Sequence, residues 1–384
     1  MRIAVLDITG RNAVQYNPSL CNALEKIEKD ITLLCPTLKC SQRNFKYFRI
    51  AEVVPKSWVN RETLLKRGLR AFEVFLNYFI VWLYMLIKKP DALHVQWLPF
   101  LEFSAVEKKI LWLYQKTCPH TKLFLTIHNV YPHNQTDAQK KDYRDRFTSV
   151  DRYFTGYLVH LQRSKEELIR DFCIEPSKID IAYHGIYKAE GYMQADKTID
   201  EKINIIMYGT QTRYKGVDIF IDAYKLLPDS YRNRIGAKIM GRMDKDLYEK
   251  CKTDAESLGV ELINRFVSDE ELYSAINEAD LILLPYRSIT QSGVLLLALS
   301  YNKPIITSDL PSFKETLDGY NEDEFFKSND AESLCEMLIR FADGGIDVDR
   351  MKSIISKLNI KYSWEETAKA TYNAYSRVGL KKDK

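Results

Sequence analysis

Residues 281–309 read LILLPYRSITQSGVLLLALSYNKPIITSD. An apolar strand runs into Pro285 and Tyr286. The polar group Thr290-Gln291-Ser292-Gly293 then opens a strongly apolar helix, and a second apolar strand, PIITS, follows. Both strands are continuous apolar runs rather than alternating ones, which means burial on both faces and a parallel sheet covered by helices. A helix that starts just beyond the carboxyl end of a buried strand turns unpaired backbone N–H groups and the positive end of its dipole outward, a place suited to an anion.

The same alternation extends in both directions. RIAVLDI, ITLLC, ALHVQWL, KLFLTIH and YLVHL form a first set of strands, and INIIMYG, AKIMG, LILLPY and PIITS a second, with helical stretches between them. The sets occupy residues 1 to about 185 and about 202 to 325, and the polar, irregular KAEGYMQADKTIDEK separates them. The fold class is therefore α/β, with two Rossmann-like domains of parallel sheet whose carboxyl ends are expected to face across a cleft. At 384 residues the chain is too long for one ordinary core, in agreement with two domains.

Composition is that of a folded globular protein, 46% hydrophobic and 28% charged. The net charge of +4 is unevenly spread. Residues 1–200 hold 30 Lys/Arg against 22 Asp/Glu, and the remainder holds 26 against 30. A basic first half suits an anionic partner or an anionic lipid surface. No basic stripe supports nucleic-acid binding. The seven cysteines are scattered, with no CxxC pair and no zinc spacing, and read as small buried residues in a reducing compartment. MRIAVLDITG reads as a strand rather than a signal peptide. AFEVFLNYFIVWLYMLI, residues 71–87, is apolar enough to resemble a membrane span, yet seventeen residues is the short limit. The strand that follows it favours a core helix with one face available to a membrane surface.

YGTQTRYKGVDIF, residues 208–220, opens the second set. A strand ends at Gly209, the loop carries Arg213 and Lys215, and Gly216 begins an amphipathic helix. Cations at the mouth of a strand–loop–helix unit are placed to neutralise phosphate. The chain has no GxGxxG after its first strand, no Walker-type GxxxxGK[ST] and no GxSxG elbow. DxD triplets occur at Asp244–Asp246 and Asp347–Asp349, away from strand ends, and no obligatory metal is expected.

Taken in order, the strand–G…YKGVD–helix unit, VSDEELYSAINEADLILLPY, QSGV…AL…NKPIITSD and the closing YSW resemble the GT-B glycosyltransferases of family four. The resemblance covers nearly the whole chain, is strongest over residues 205–315, and is looser in YNPSLCNALEK, PDALHVQW, LTIHNVYPH and YHGIY. It implies an acceptor domain at 1–185, a linker at 186–201, a donor domain at 202–361, and a terminal helix at 362–384 returning to the first domain. It also implies transfer of a sugar from a UDP- or GDP-linked donor to a saccharide, with no cofactor beyond that co-substrate. The lipid-linked acceptor and the cytoplasmic location, peripheral on the inner membrane face, are expectations that go with it.

Carried over by position, the resemblance places Lys215 on the donor diphosphate, with Arg213 close by. Ser292, Gly293 and Val294 would offer backbone N–H groups there beside Gln291, and Glu315 would lie near the ribose. His128, ending a first-domain strand, would hydrogen-bond the transferred sugar, with His94 and His184 as weaker candidates. Asp7, Gly10 and Asn12, in the first strand-to-helix loop, would lie on the acceptor side. One departure stands out. Where the family carries two glutamates across the helix start, this chain has Thr290 and Ala298. Such a TQSG loop resembles bacterial polysaccharide-assembly transferases. Two other readings stay open: a catalytically silent relative acting as a binding subunit, and a different GT-B enzyme such as a phosphorylase or epimerase.

Overall fold

The structure is a computed structural model and describes residues 1–10, 15–38, 40, 43–54, 63–132, 135–187 and 202–377. The chain divides into two compact units, one of Met1–Gly185 together with residues from Tyr362 onward, the other Ile186–Lys361.

In the first unit the strands are β1 (Ile3–Leu6), β2 (Ile31–Cys35), β3 (Lys46–Arg49), β4 (Ala92–Val95), β5 (Lys122–Ile127), β6 (Gly156–Val159) and β7 (Ile179–Ile181). The helices between them are α1 (Tyr16–Glu25), α2 (Leu64–Lys88), α3 (Val106–Thr117), α4 (Asp137–Asp151) and α5 (Gln162–Phe172). The sheet order is β3-β2-β1-β4-β5-β6-β7, all parallel. The order reverses between β1 and β4, so loops at the carboxyl ends of those strands splay apart and leave a crevice.

In the second unit β8 (Ile203–Tyr208), α6 (Val217–Leu226), α7 (Asp229–Arg232), β9 (Ile235–Met240), α8 (Lys245–Leu258) and β10 (Glu261–Ile263) come first. After them stand α9 (Asp269–Glu278), β11 (Leu281–Leu284), α10 (Gly293–Ser300), β12 (Ile305–Ser308), α11 (Pro311–Thr316) and β13 (Phe325–Phe326). Helices α12 (Ala331–Ala342) and α13 (Val348–Lys361) finish this unit, and α14 (Trp364–Arg377) packs with the first. The order β10-β9-β8-β11-β12-β13 is again all parallel, with its reversal between β8 and β11.

The four strands that the sequence pattern does not reveal, β3, β7, β10 and β13, are the four sheet edges. Edge strands are covered on fewer sides and carry no continuous apolar run. β3 is largely exposed, β10 and β7 are half-buried, and β13 is two residues long. The apolar segment at 71–87 is part of the longer α2, which is capped by the Thr63 side chain and ends at Lys89 in the left-handed conformation. Both DxD triplets sit at helix starts. Asp244 precedes α8, and Asp347 Oδ1 accepts from Arg350 N at 2.9 Å ahead of α13, so their acids serve the helix dipole. Five cysteines are buried as expected, but Cys40 is half-buried and Cys173 is exposed.

Candidate functional site

The reversal of strand order brings the loops after β8 and β11 side by side in the second unit. Gly209 ends β8 with φ +90°. A Cβ added to it would lie 3.1 Å from Lys215 Nζ and 3.2 Å from Val294 Cγ2. The two anion-ready elements of the sequence therefore meet over one glycine. Gly216 has φ +72° and packs so closely on the neighbouring loop that a Cβ would stand 1.9 Å from Pro285 O. Arg287 N donates to Tyr214 O at 2.7 Å and Tyr208 Oη to Val294 O at 2.9 Å, fastening the loops together.

Lys215 is buried, and its ammonium lies 5.6 Å from the centre of the Tyr286 ring. Among the described residues no carboxylate pairs with it. Burial alone pulls its pKa down from the ordinary lysine value to about 8. Ser292 caps α10, its Oγ accepting from Leu295 N at 3.1 Å. The N–H groups of Gly293 and Val294, in the first turn, have no acceptor within the helix. Gly293 is exposed, with open space where a side chain would be. A buried cation and a helix N-terminus thus border one small volume, an arrangement that stabilises developing negative charge.

Arg213 lies on the same 3-10 turn as Lys215, but it is exposed. The cation that does bind into this region is one the sequence did not single out. Arg287 Nη1 donates to Arg213 O at 2.8 Å and to Asp218 Oδ1 at 2.7 Å, and Lys250 also pairs with Asp218 at 2.9 Å. Burial pushes the Asp218 carboxyl up, yet hydrogen bonds and charge from Arg287 and Lys250 outweigh it and hold the pKa at about 2. Arg287 is thereby committed to a carboxylate, whereas Lys215 is not. Tyr286 was likewise not singled out; it stacks edge-on with Tyr214 and lies against Phe313. In the same loop the Gln211 amide and the Thr212 hydroxyl are buried without a hydrogen-bond partner among the described residues. Glu315 is half-buried on α11, one turn after Ser312, whose Oγ donates to Ile289 O at 2.8 Å. Gln291 is half-buried beside the cap.

A concavity of about 720 Å³ lies along β9, β10 and α9 and does not include Lys215, Tyr286 or α10. Its Lys238 and Arg265 are already paired with Glu261 and Glu271, so its charge is spent within its own walls.

In the first unit the carboxyl ends of β4 to β7 gather four histidines. His128 Nδ1 lies 3.1 Å from His160 Nε2, and His160 Nδ1 lies 2.8 Å from Ala182 O. Gln96 bridges to His128 at 3.3 Å and to His94 at 3.4 Å. His94 also meets Thr126 Oγ1 and Tyr375 Oη, each at 2.6 Å. Tyr16 packs edge-on against His128, His160 and His184. Burial, and then the neighbouring imidazoles, hold His128 well below the ordinary histidine range; burial leads the shift for the others too, to about 3 for His94, 4 for His160 and 3 for His184. All four are neutral at neutral pH. His128 and His184 are half-buried, whereas His94 and His160 are buried. His160, Gln96 and Tyr375 joined the site unannounced by the sequence.

Asp7 is fully buried and works locally. Its carboxylate accepts from Gly10 N at 2.9 Å and Asn17 Nδ2 at 3.0 Å, which shapes the turn after β1. Gly10, at φ +72°, is the turn itself. Asn12 lies outside the described residues.

With these elements in place, the fold can be set beside those of solved structures. The chain has the GT-B fold: it matches Anabaena HepE in complex with UDP at TM-score 0.69, with 13% identity, over 98% of this chain and 100% of that one. The lipopolysaccharide outer core galactosyltransferase WaaB matches at 0.66 with 16% identity, over 98% and 100%. Within that fold, residues 191–357 match the family described as glycosyl transferases group 1. Two curated relatives share part of the sequence. GDP-mannose:glycolipid 4-beta-D-mannosyltransferase of Xanthomonas campestris pv. campestris is 23% identical over 234 residues, 58% of this chain and 62% of that protein. Lipopolysaccharide glucosyltransferase WaaG of Escherichia coli K12 is 26% identical over 196 residues, 44% and 52%. The chain thus spans between about half and three fifths of the length of these relatives.

Proposed function

We propose that this chain transfers a sugar from a nucleoside diphosphate sugar to a saccharide acceptor, lipid-linked, in the assembly of a cell-surface polysaccharide or glycoconjugate. One observation carries the reading: Lys215 is buried at the start of α10 without a carboxylate partner among the described residues. Burying an unpaired ammonium costs stability, and a diphosphate would relieve that cost. The glycolipid and lipopolysaccharide substrates named for the relatives, and the UDP held by HepE, agree with it.

In the reaction the bond between the anomeric carbon and the diphosphate oxygen breaks. The acceptor hydroxyl oxygen bonds to that carbon and gives up its proton to the departing phosphate or to water, leaving a nucleoside diphosphate. Lys215 and the amides of Gly293 and Val294 meet the charge that grows on the leaving oxygen. These groups are also proposed to suffice without a metal ion, with Gln291 and Glu315 flanking the donor. His128 is assigned a neutral hydrogen-bonding role toward a sugar hydroxyl, and the turn of Asp7, Gly10 and Asn12 an acceptor-side role.

Calorimetric titration with UDP, GDP and ADP in the presence of a chelator, repeated with Lys215→Ala, tests the site. Selective binding of one nucleotide, lost in the variant, is expected; no binding of any would overturn the reading. Thr290 and Ala298, in place of two family glutamates, favour a second reading in which the fold binds without turnover. Release of nucleotide on adding a donor sugar and an acceptor glycolipid separates the two.

A further inference from the structure

Helix α2 is 25 residues long and, by length and composition alone, apolar enough to cross a membrane. Its inner face excludes that use. Val74, Tyr78, Val81 and Met85 are buried in the first unit's core. Asn77, fully buried, donates to Ala51 O at 3.0 Å and accepts from Ala51 N at 2.7 Å, while Glu73 accepts from Val53 N at 2.6 Å and Val54 N at 2.8 Å. A helix packed in the core and tied in this way to the segment after β3 cannot leave it to span a bilayer.

The opposite face is as apolar as the inner one but uncovered. Phe72, Phe75, Phe79, Leu83 and Ile87 are 59%, 45%, 52%, 38% and 73% exposed. At about 100° per residue these five fall within an arc of about 120°, a single stripe along the helix. Phe75 stacks on Phe100, and beside that pair Phe103 is 78% exposed. On the adjoining α3, Trp112 is 49% exposed, with Lys116 4.9 Å over its ring.

Charge settles the occupant. Lys109 and Lys116 stand one turn either side of Trp112 on α3, and Lys89 follows α2 just beyond Ile87; all three are exposed. The one acid of α2, Glu73, is occupied by backbone N–H groups, and the one acid of α3, Glu107, is buried and bonded to Tyr78 and Phe100 N. An apolar stripe with cations at its borders and no exposed acid upon it complements an anionic phospholipid surface: aromatic rings enter the acyl boundary while ammonium groups meet headgroup phosphates. We infer that the exposed face of α2, with Phe103 and Trp112, is a docking surface for an anionic membrane, on which the first unit lies without being spanned. The inference deepens the lipid-linked acceptor reading, since it would bring the protein to where such an acceptor resides.

The test is co-sedimentation of the full chain with vesicles of phosphatidylglycerol and phosphatidylcholine, against vesicles of phosphatidylcholine alone, without donor or acceptor. Failure here therefore leaves the transferase reading standing. Binding to the anionic vesicles is expected, weakened by high salt, with a blue shift of tryptophan emission from Trp112. The triple variant Phe72→Ser, Phe79→Ser, Ile87→Ser should lower partitioning about tenfold or more. Ile360→Ser, removing an equally exposed apolar side chain on α13, should leave it unchanged. Equal binding by wild type and the triple variant, or none to anionic vesicles, would overturn the inference. So would a concentration-dependent dimer that the triple variant abolishes while vesicles are ignored.

Discussion

His128 is held by His160: the two imidazoles meet at 3.1 Å, and the far nitrogen of His160 reaches the Ala182 carbonyl at 2.8 Å. A carbonyl oxygen only accepts. The Nδ1 of His160 therefore carries its proton, its Nε2 accepts from Nδ1 of His128, and a neutral His128 requires the Gln96 amide, 3.3 Å from its Nε2, to present its nitrogen there. The backbone just after β7 fixes the tautomer of a side chain two strands away. Nitrogen-15 shifts of the imidazoles should show His128 protonated at Nδ1 from pH 6 to 8. Replacing His160 with Phe should release that preference while leaving the fold in place.

The same cluster gives the first unit an acid limit. Folded-state values of about 3 to 4 lie below the unfolded histidine value near 6.5. The unfolded chain therefore binds more protons in that interval, and stability present above pH 6.5 is lost as pH falls toward 4. Thermal melts at pH 7, 5.5 and 4.5 should show a progressively lower transition, and the His160→Phe variant a shallower decline.

Lys215 carries the opposite dependence for ligands. With its pKa near 8, the cation is lost as pH rises through that value, so nucleotide affinity should fall from pH 8 to 9.5. Lys215→Ala should weaken binding about 10- to 100-fold, the range of a charge-assisted contact, and should flatten the pH profile. Arg213→Ala, at an exposed position, should cost about threefold or less. Gln211→Leu should bind less nucleotide without loss of thermal stability, because its buried amide has no partner among the described residues to lose.

Two glycines should respond in opposite senses to alanine. At Gly216 the positive φ and the Pro285 carbonyl together predict a loss of roughly 2–4 kcal/mol in urea unfolding. At Gly68, inside α2 with open space around it, the same change should add about 0.5–1 kcal/mol through helix propensity.

Much of this site was legible because its signals are local. A strand, a short loop with a lysine and a helix start are neighbours in sequence, so Lys215 and Ser292–Val294 could be read off two short stretches. What was not legible depends on chain crossings. Tyr375 and His94 bond across 281 residues, and no periodicity encodes that. The pairing of Arg287 with Asp218, 69 residues apart, decides which arginine is spent structurally, and sequence offered Arg213 instead. Helix α2 reads as apolar on every side, so its composition could not say which face the sheet would cover. The parallel sheets were readable from buried runs, and their edges were not, because an edge strand need not be apolar.

Tyr375 and Ala368 of α14 share a core with Ile3, Leu20, Leu33 and Phe124, and Arg377 pairs with Asp180. During synthesis that core must wait for the 176 residues from Ile186 to Lys361. At about 5–20 residues per second the wait is roughly 10–35 seconds. Throughout it α1 emerges with its apolar flank unroofed and His94 lacks its tyrosine. The first unit is started first but finished last, and the nascent chain presents a sticky, half-built sheet that a chaperone has time to find.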